Sequence, residues 1–190
     1  MANKVKYGLK NVHYALATIS DVDHSATYGT PVAIPGAVSL TLSAEGELTP
    51  FRADNINYWI GNSNNGYTGD LEIALIPKSF KVDVLGMVED SGALVETVSG
   101  NAVPFALLFQ FEGDENETRY VFYNVTASRP EVAGQTTQET IEPQTETISM
   151  SASSIYNETL DNEIVKAAVD NDTTGATIYA SWNTAVWQPT

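Results

Sequence analysis

The sequence predicts a mainly β chain, a sandwich or barrel-like sheet flanked by one or two short helices. Three observations predict it. Apolar residues alternate with hydroxyl-bearing or acidic ones in several segments, the period of two that turns one face of a strand toward a core. Clusters of turn-forming residues separate those segments, as in sandwiches and barrels. The 190 residues, 43% of them hydrophobic, suffice to bury one core.

Residues 37–48, AVSLTLSAEGEL, place Val38, Leu40 and Leu42 on one face and Ser39, Thr41 and Ser43 on the other. In GYTGDLEIALI (66–76), Leu71, Ile73 and Leu75 face away from Asp70 and Glu72. PKSFKVDVLG (77–86) reads as a helix, because Pro77 suits a first turn, Phe80 and Val84 are four apart, and Gly86 supplies a stop. The clearest hairpin joins PFALLFQFE (104–112) to RYVFYNVTA (119–127) across the turn cluster GDENET (113–118). QTETISMSAS (144–153) alternates again. Ile148 and Met150 point to a core, and Thr145, Thr147, Ser149 and Ser151 point away. EIVKAAV (163–169) is a further strand. In DTTGATIYASWNTAV (172–186), Asp172 or Thr173 can cap a helix with Ile178, Tyr179, Trp182 and Val186 on one face. Gly175 and the β-prone ATIY leave a strand open there.

No linker, internal repeat or charge block divides residues 1–190, so a single domain is expected. Two connections are long for a compact domain, and such loops often bind partners. One is 45–66, EGELTPFRADNINYWIGNSNNG. The other is 128–143, where Glu131, Glu139 and Glu142, followed by Glu146 at the start of the next strand, are balanced by Arg129 alone.

Nine basic residues against 24 acidic ones give a net charge of −15. Such a surface repels phosphate and opposes the counterion release that drives nucleic-acid binding. The absence of cysteine excludes disulfides and thiolate metal sites. No apolar run is long enough to span a bilayer, and MANKVKYGLKNVHYALATIS reads as a mature cytosolic start with no cleavage site. The Asn-x-Ser/Thr sequons at Asn116, Asn124, Asn157 and Asn171 are then chance matches in a Thr-rich chain.

Catalytic chemistry is not marked. His13 and His24 are the only imidazoles, and no phosphate loop, nucleophile elbow or zinc-protease motif occurs. DVDH (21–24) could form a hard-metal corner but lacks the glycine and distal glutamate of a calcium loop, so a turn is the simpler reading. The acids of GDENETR (113–119) are explained by the hairpin. Tyr58 and Trp59, in a polar loop with Asn62 and Asn64, could stack on a sugar or base. They suit contact with a partner subunit better, because Trp and Tyr are favoured interface anchors. Trp182 and Trp187 read as packing residues.

KYGLKNVHYA (6–15), IPKSFKVDVLG (76–86), FALLFQFEGDENETRYVFYNVTASRP (105–130) and TIEPQTETISMSAS (140–153) occur in that order. Together they resemble the major tail proteins, or tail tube proteins, of long, non-contractile-tailed bacteriophages of Gram-positive hosts. The phrase IEPQTET and the early VHYA are the most distinctive, and the Tyr179–Trp182 pairing also fits. The resemblance covers essentially the whole chain and implies a tail tube fold, a β-sandwich with a flanking helix. It implies subunits that form rings, commonly hexameric, stacked into a tube around a tape-measure protein and later conducting DNA without binding it specifically. Tail-tip and tail-terminator proteins would be further partners. The place would be the virion tail, assembled in the host cytoplasm, with no enzymatic activity, cofactor or membrane.

On that resemblance, residues 1–35 are an N-terminal arm between subunits, 45–66 packs one ring on the next through Tyr58, Trp59, Asn62 and Asn64, and 128–143 reaches a neighbour. The strand at 144–153 lines the tube, Glu139, Glu142 and Glu146 contribute a negative lumen, and 170–190 is a C-terminal helix and tail. Two other readings stand beside it. One is a carbohydrate-binding β-sandwich using Tyr58, Trp59 and DVDH. The other is the tube protein of a contractile tail or related injection machine. A hydrolase would need two acids in one cleft, one with a raised pKa.

Overall fold

The computed structural model describes residues 5–113, 116–136, 143–172 and 174–190. The alternating segments become strands, and the first lies at β1 (Tyr7–Ile19), followed by β2 (Ala26–Tyr28), β3 (Val32–Ala33) and β4 (Ala37–Ala44). Next come β5 (Leu48–Ala53), β6 (Ile56–Asn62), β7 (Tyr67–Ile73) and the helix α1 (Lys78–Asp83). The short pair β8 (Val88–Asp90) and β9 (Ala93–Val95) leads to β10 (Phe105–Glu112), β11 (Arg119–Ala127) and β12 (Glu146–Ser153). The chain closes with β13 (Ile155–Asn157), β14 (Asn162–Ile164), β15 (Lys166–Val169) and α2 (Ala176–Ser181).

Among the described residues, nine strands form one antiparallel sheet in the order β2-β1-β10-β11-β12-β7-β4, with β3 on β1 and β15 on β11. β11 divides its free edge. Residues Arg119–Phe122 hold β15, and Asn124–Ala127 hold β12. The chain is therefore mainly β with two short helices, as its periodicity predicts, in a sandwich-like arrangement.

β10 is buried on both faces because it separates two cores. Phe105, Leu107 and Phe109 join Tyr14, Phe122, Ile148 and the helix residue Phe80. Ala106 and Leu108 face Val121, Tyr123, Ile155 and Trp182. Edge-on rings tie α1 to the first core, with Tyr14–Phe80 at 5.2 Å and Phe80–Phe105 at 5.5 Å. Tyr14 also donates to Asp83 Oδ2 at 2.8 Å. Gly86, at φ +70°, stops the helix region as expected, since a left-handed backbone favours glycine. On the other face Trp182 stacks on Trp187 at 6.3 Å, and the Arg119 guanidinium lies 3.8 Å from the centre of the Tyr179 ring. Both tryptophans are packing residues.

Several expectations are corrected. Of residues 1–35, the expected arm, Tyr7–Ile19 form β1 and belong to the sheet instead. β1 lies inside the sheet, and Val12, Tyr14, Ala15 and Ala17 are core residues, because a partner strand is available on each side. Residues 45–66 are not a loop but a β-hairpin, β5–β6. Val38 is exposed, since the β4–β7 register slips between Ala37 and Ser39 and turns it outward. Leu75 lies beyond the end of β7 and is exposed too. The expected strand at 163–169 is split between β14 and β15, on different partners. The helix within 172–186 is confined to Ala176–Ser181, and the Asp172 carboxylate caps its approach by accepting from the Thr174 and Gly175 amides.

Candidate assembly arm and acidic face

β5 and β6 continue β4 and β7 outward as one two-stranded ribbon. The neck between them is held by backbone bonds from Glu45 to Gly66, Asn65 to Glu45 and Ser63 to Glu47. The turn is Asp54-Asn55, both at positive φ, 51° and 63°. That is the arrangement a tight hairpin requires, and Asp and Asn tolerate it better than most residues. Sequence reading passed over this dipeptide because Pro50 and the Asn-rich GNSNNG looked more loop-like. Pro50 sits within β5 opposite Ile60, in a ribbon where no third strand among the described residues needs its missing N–H.

The ribbon is apolar on both sides. Phe51 pairs with Trp59 on one face, and Leu48 and Ile60 lie on the other. Tyr58 sits at the register slip between the Phe51 and Arg52 pairs. Leu48, Phe51, Ile56, Tyr58, Trp59 and Ile60 are all more than half exposed. An isolated two-stranded hairpin is marginal in water, and this one displays six large apolar side chains with no layer over either face among the described residues. Of the residues expected to make contacts, Tyr58 and Trp59 stand on this arm and Asn62 closes its base opposite Leu48. Asn64 lies in the neck, where its Oδ1 accepts from the Gly66 amide at 3.2 Å. Phe51, Ile56 and Ile60 were missed. Alternation around Asp54-Asn55 was the signal that could have found them.

A second surface lies on the outer faces of β12, β7 and β4, beyond the part of the sheet that α2 covers. Register sets three rows across it, Ser39-Glu72-Thr147, Thr41-Asp70-Ser149 and Ser43-Thr68-Ser151. Every member is a hydroxyl or an acid, and none is basic. The acids sit on the middle strand, held by hydroxyls from its neighbours. Thr145 and Ser39 donate to Glu72 at 2.6 and 2.9 Å, and Ser149 donates to Asp70 at 2.6 Å. Hydrogen bonds from Thr145 and then Ser39 hold the Glu72 carboxyl below the usual carboxylate range, so it stays ionised at neutral pH. β12 itself follows its alternation throughout, with Ile148, Met150 and Ala152 buried and Thr147, Ser149, Ser151 and Ser153 exposed.

Glu146 is not a free acid of this face. Its Oε2 accepts from the Ile76 amide at 2.6 Å and its Oε1 lies 3.5 Å from Lys81 Nζ. It points to the Ile148 side, as strict alternation requires, and bridges the sheet to the approach of α1. Glu139 and Glu142 lie outside the described residues. The acids that the fold aligns are Asp70 and Glu72. Arg129, the one cation near the acidic segment, pairs with Glu96 at 2.8 Å.

In DVDH, Asp23 Oδ1 accepts from the Ser25 amide and hydroxyl, which makes a turn with His24 at φ 58°. Among the described residues no three His, Asp or Glu side chains gather as a metal site. Among the described residues no helix is long and apolar enough to cross a membrane. No protein-family model matches the chain, and no curated protein matches it.

Proposed function

We propose that this chain is a self-assembling tube subunit, the tail tube protein of a long-tailed phage, in which rings stack and DNA later passes through the lumen. The observation that carries the proposal is the β5–β6 arm. A ribbon apolar on both faces, projecting from a well-packed sheet, is explained by a protein partner that covers it. A heterologous contact whose rotation does not close repeats from copy to copy and builds open-ended assemblies. The hydroxyl–acid face supports the second half of the reading. Asp70 and Glu72, with no cation in their rows, would repel phosphate, over the roughly 8 Å that screening allows at physiological ionic strength. Repetition around a ring would make that repulsion continuous.

The purified protein is expected to form tubes visible by negative-stain electron microscopy when concentrated or nucleated by tail-tip proteins. A chain that stays monomeric at millimolar concentration under both conditions would sink the reading. The face has its own test. Asp70→Lys/Glu72→Lys should still assemble, yet eject DNA more slowly than wild type from reconstituted particles at low salt, with the difference shrinking at high salt. Equal ejection rates at both salt concentrations would remove this face from the DNA path.

A further inference from the structure

The first core is open at one end, where β4 approaches β10 and β11. Leu42, Tyr67, Phe111 and Phe122 help to line a cavity of about 340 Å³ there, large enough for one or two bulky side chains. Two lysines flank its aromatic walls. Lys6 Nζ lies 4.7 Å from the Phe111 ring centre, and Lys166 Nζ lies 4.7 Å from Tyr67 and 6.0 Å from Phe122. Lys78, Lys81 and Arg129 pair with carboxylates, whereas neither Lys6 nor Lys166 makes an ion pair among the described residues. In a chain of net charge −15, an aromatic-walled cavity between two ammonium groups suits a guest that is both aromatic and acidic.

The chain carries such a guest. At the tip of the β5–β6 arm, Asp54 occupies the turn, and Phe51, Ile56, Tyr58 and Trp59 stand exposed beside it. Strands of six and seven residues hold that tip about 20 Å from the neck. The neck joins the sheet at Ala44 and Tyr67, beside the cavity, so the tip points away from its own cavity. We propose that the arm tip of one copy docks in the Lys6–Lys166 cavity of a second copy, with an aromatic side chain in the cavity and Asp54 between the ammonium groups. This rests on the tube reading above and names the acceptor that the arm needs. Donor and acceptor are different surfaces, so each subunit can give one contact and receive another.

The test uses a donor variant, Tyr58→Ala/Trp59→Ala, and two acceptor variants, Leu42→Arg and Lys6→Glu/Lys166→Glu. Leu42→Arg makes the chain less negative and the lysine pair makes it more so, so general repulsion cannot explain a loss common to both. Each variant, checked for a wild-type melting temperature, should lose self-association at least tenfold by sedimentation. If Leu42→Arg misfolds, the lysine variant decides. Donor and acceptor variants mixed should recover one joint per pair and stop there, giving doublets and no tubes. Acceptor variants that form tubes like wild type would overturn the cavity while leaving the tube reading intact. So would a mixture that forms no joint, provided wild type polymerises. Wild-type protein that closes through this same contact into finite oligomers would preserve the docking and overturn the tube.

Discussion

Ile148→Asp is expected to abolish folding, while Thr147→Asp, one residue earlier, leaves the protein folded. Ile148 is fully buried in the core that β12 shares with Tyr14, Phe80 and Phe122. Losing that packing costs about 2–5 kcal/mol by analogy with large-to-small core substitutions. A carboxyl placed there must also shed its charge, and protonating an ordinary aspartate at pH 7 costs about 4 kcal/mol. Together these approach the whole stability of a typical domain, about 5–15 kcal/mol. Thr147 projects from the opposite face and is exposed. Its cross-strand neighbour is Glu72, so an aspartate there adds like-charge repulsion in water and no desolvation. Circular dichroism and thermal melts of the two variants distinguish these outcomes. Equal tolerance of both would mean that β12 does not present the faces described.

Trp59→Ala should leave the melting temperature of the monomer close to wild type and sharply reduce assembly. The residue is 61% exposed, and within its own chain its ring lies over Gly61 and opposite Phe51 without entering either core. Exposed substitutions typically change stability by within about 0.5 kcal/mol. Truncating an aromatic anchor in an interface costs about 2 kcal/mol or more, which is roughly thirtyfold in affinity at each contact. The loss is repeated at every joint of a polymer, so the critical concentration for assembly should rise by at least that factor. Light scattering across a concentration series measures it. A variant that melts many degrees lower yet assembles at the wild-type concentration would make Trp59 a folding residue.

What could be read without coordinates was whatever depends on neighbours in sequence. The alternation in ETISMSA assigns both faces of β12, and the structure keeps that assignment down to Glu146. Glu146, which the resemblance placed in a negative lumen, turns instead to the inner side, where it accepts from the Ile76 amide and lies beside Lys81. The continuous apolar run at the start of β10 is likewise buried on both faces. The proline, spacing and glycine signals around α1 were local and sufficient.

The 45–66 segment was misread for a physical reason. Strand formation there depends on a two-residue turn and on pairing across it, and single-residue polarity outweighs both in any local count. The sequence by itself therefore determined the mainly β class, the faces of β7 and β12 and the absence of thiol chemistry. Beyond the β10–β11 hairpin, tertiary structure alone decided which strands are neighbours. Asp70 and Glu72 become a row with Ser39, Thr147 and Ser149 only through the β4–β7–β12 register. The cavity gathers Lys6, Leu42, Tyr67, Phe111, Phe122 and Lys166 from across the chain. Such pairings are chosen by total burial and register over the whole sheet, a quantity that no local window of residues contains.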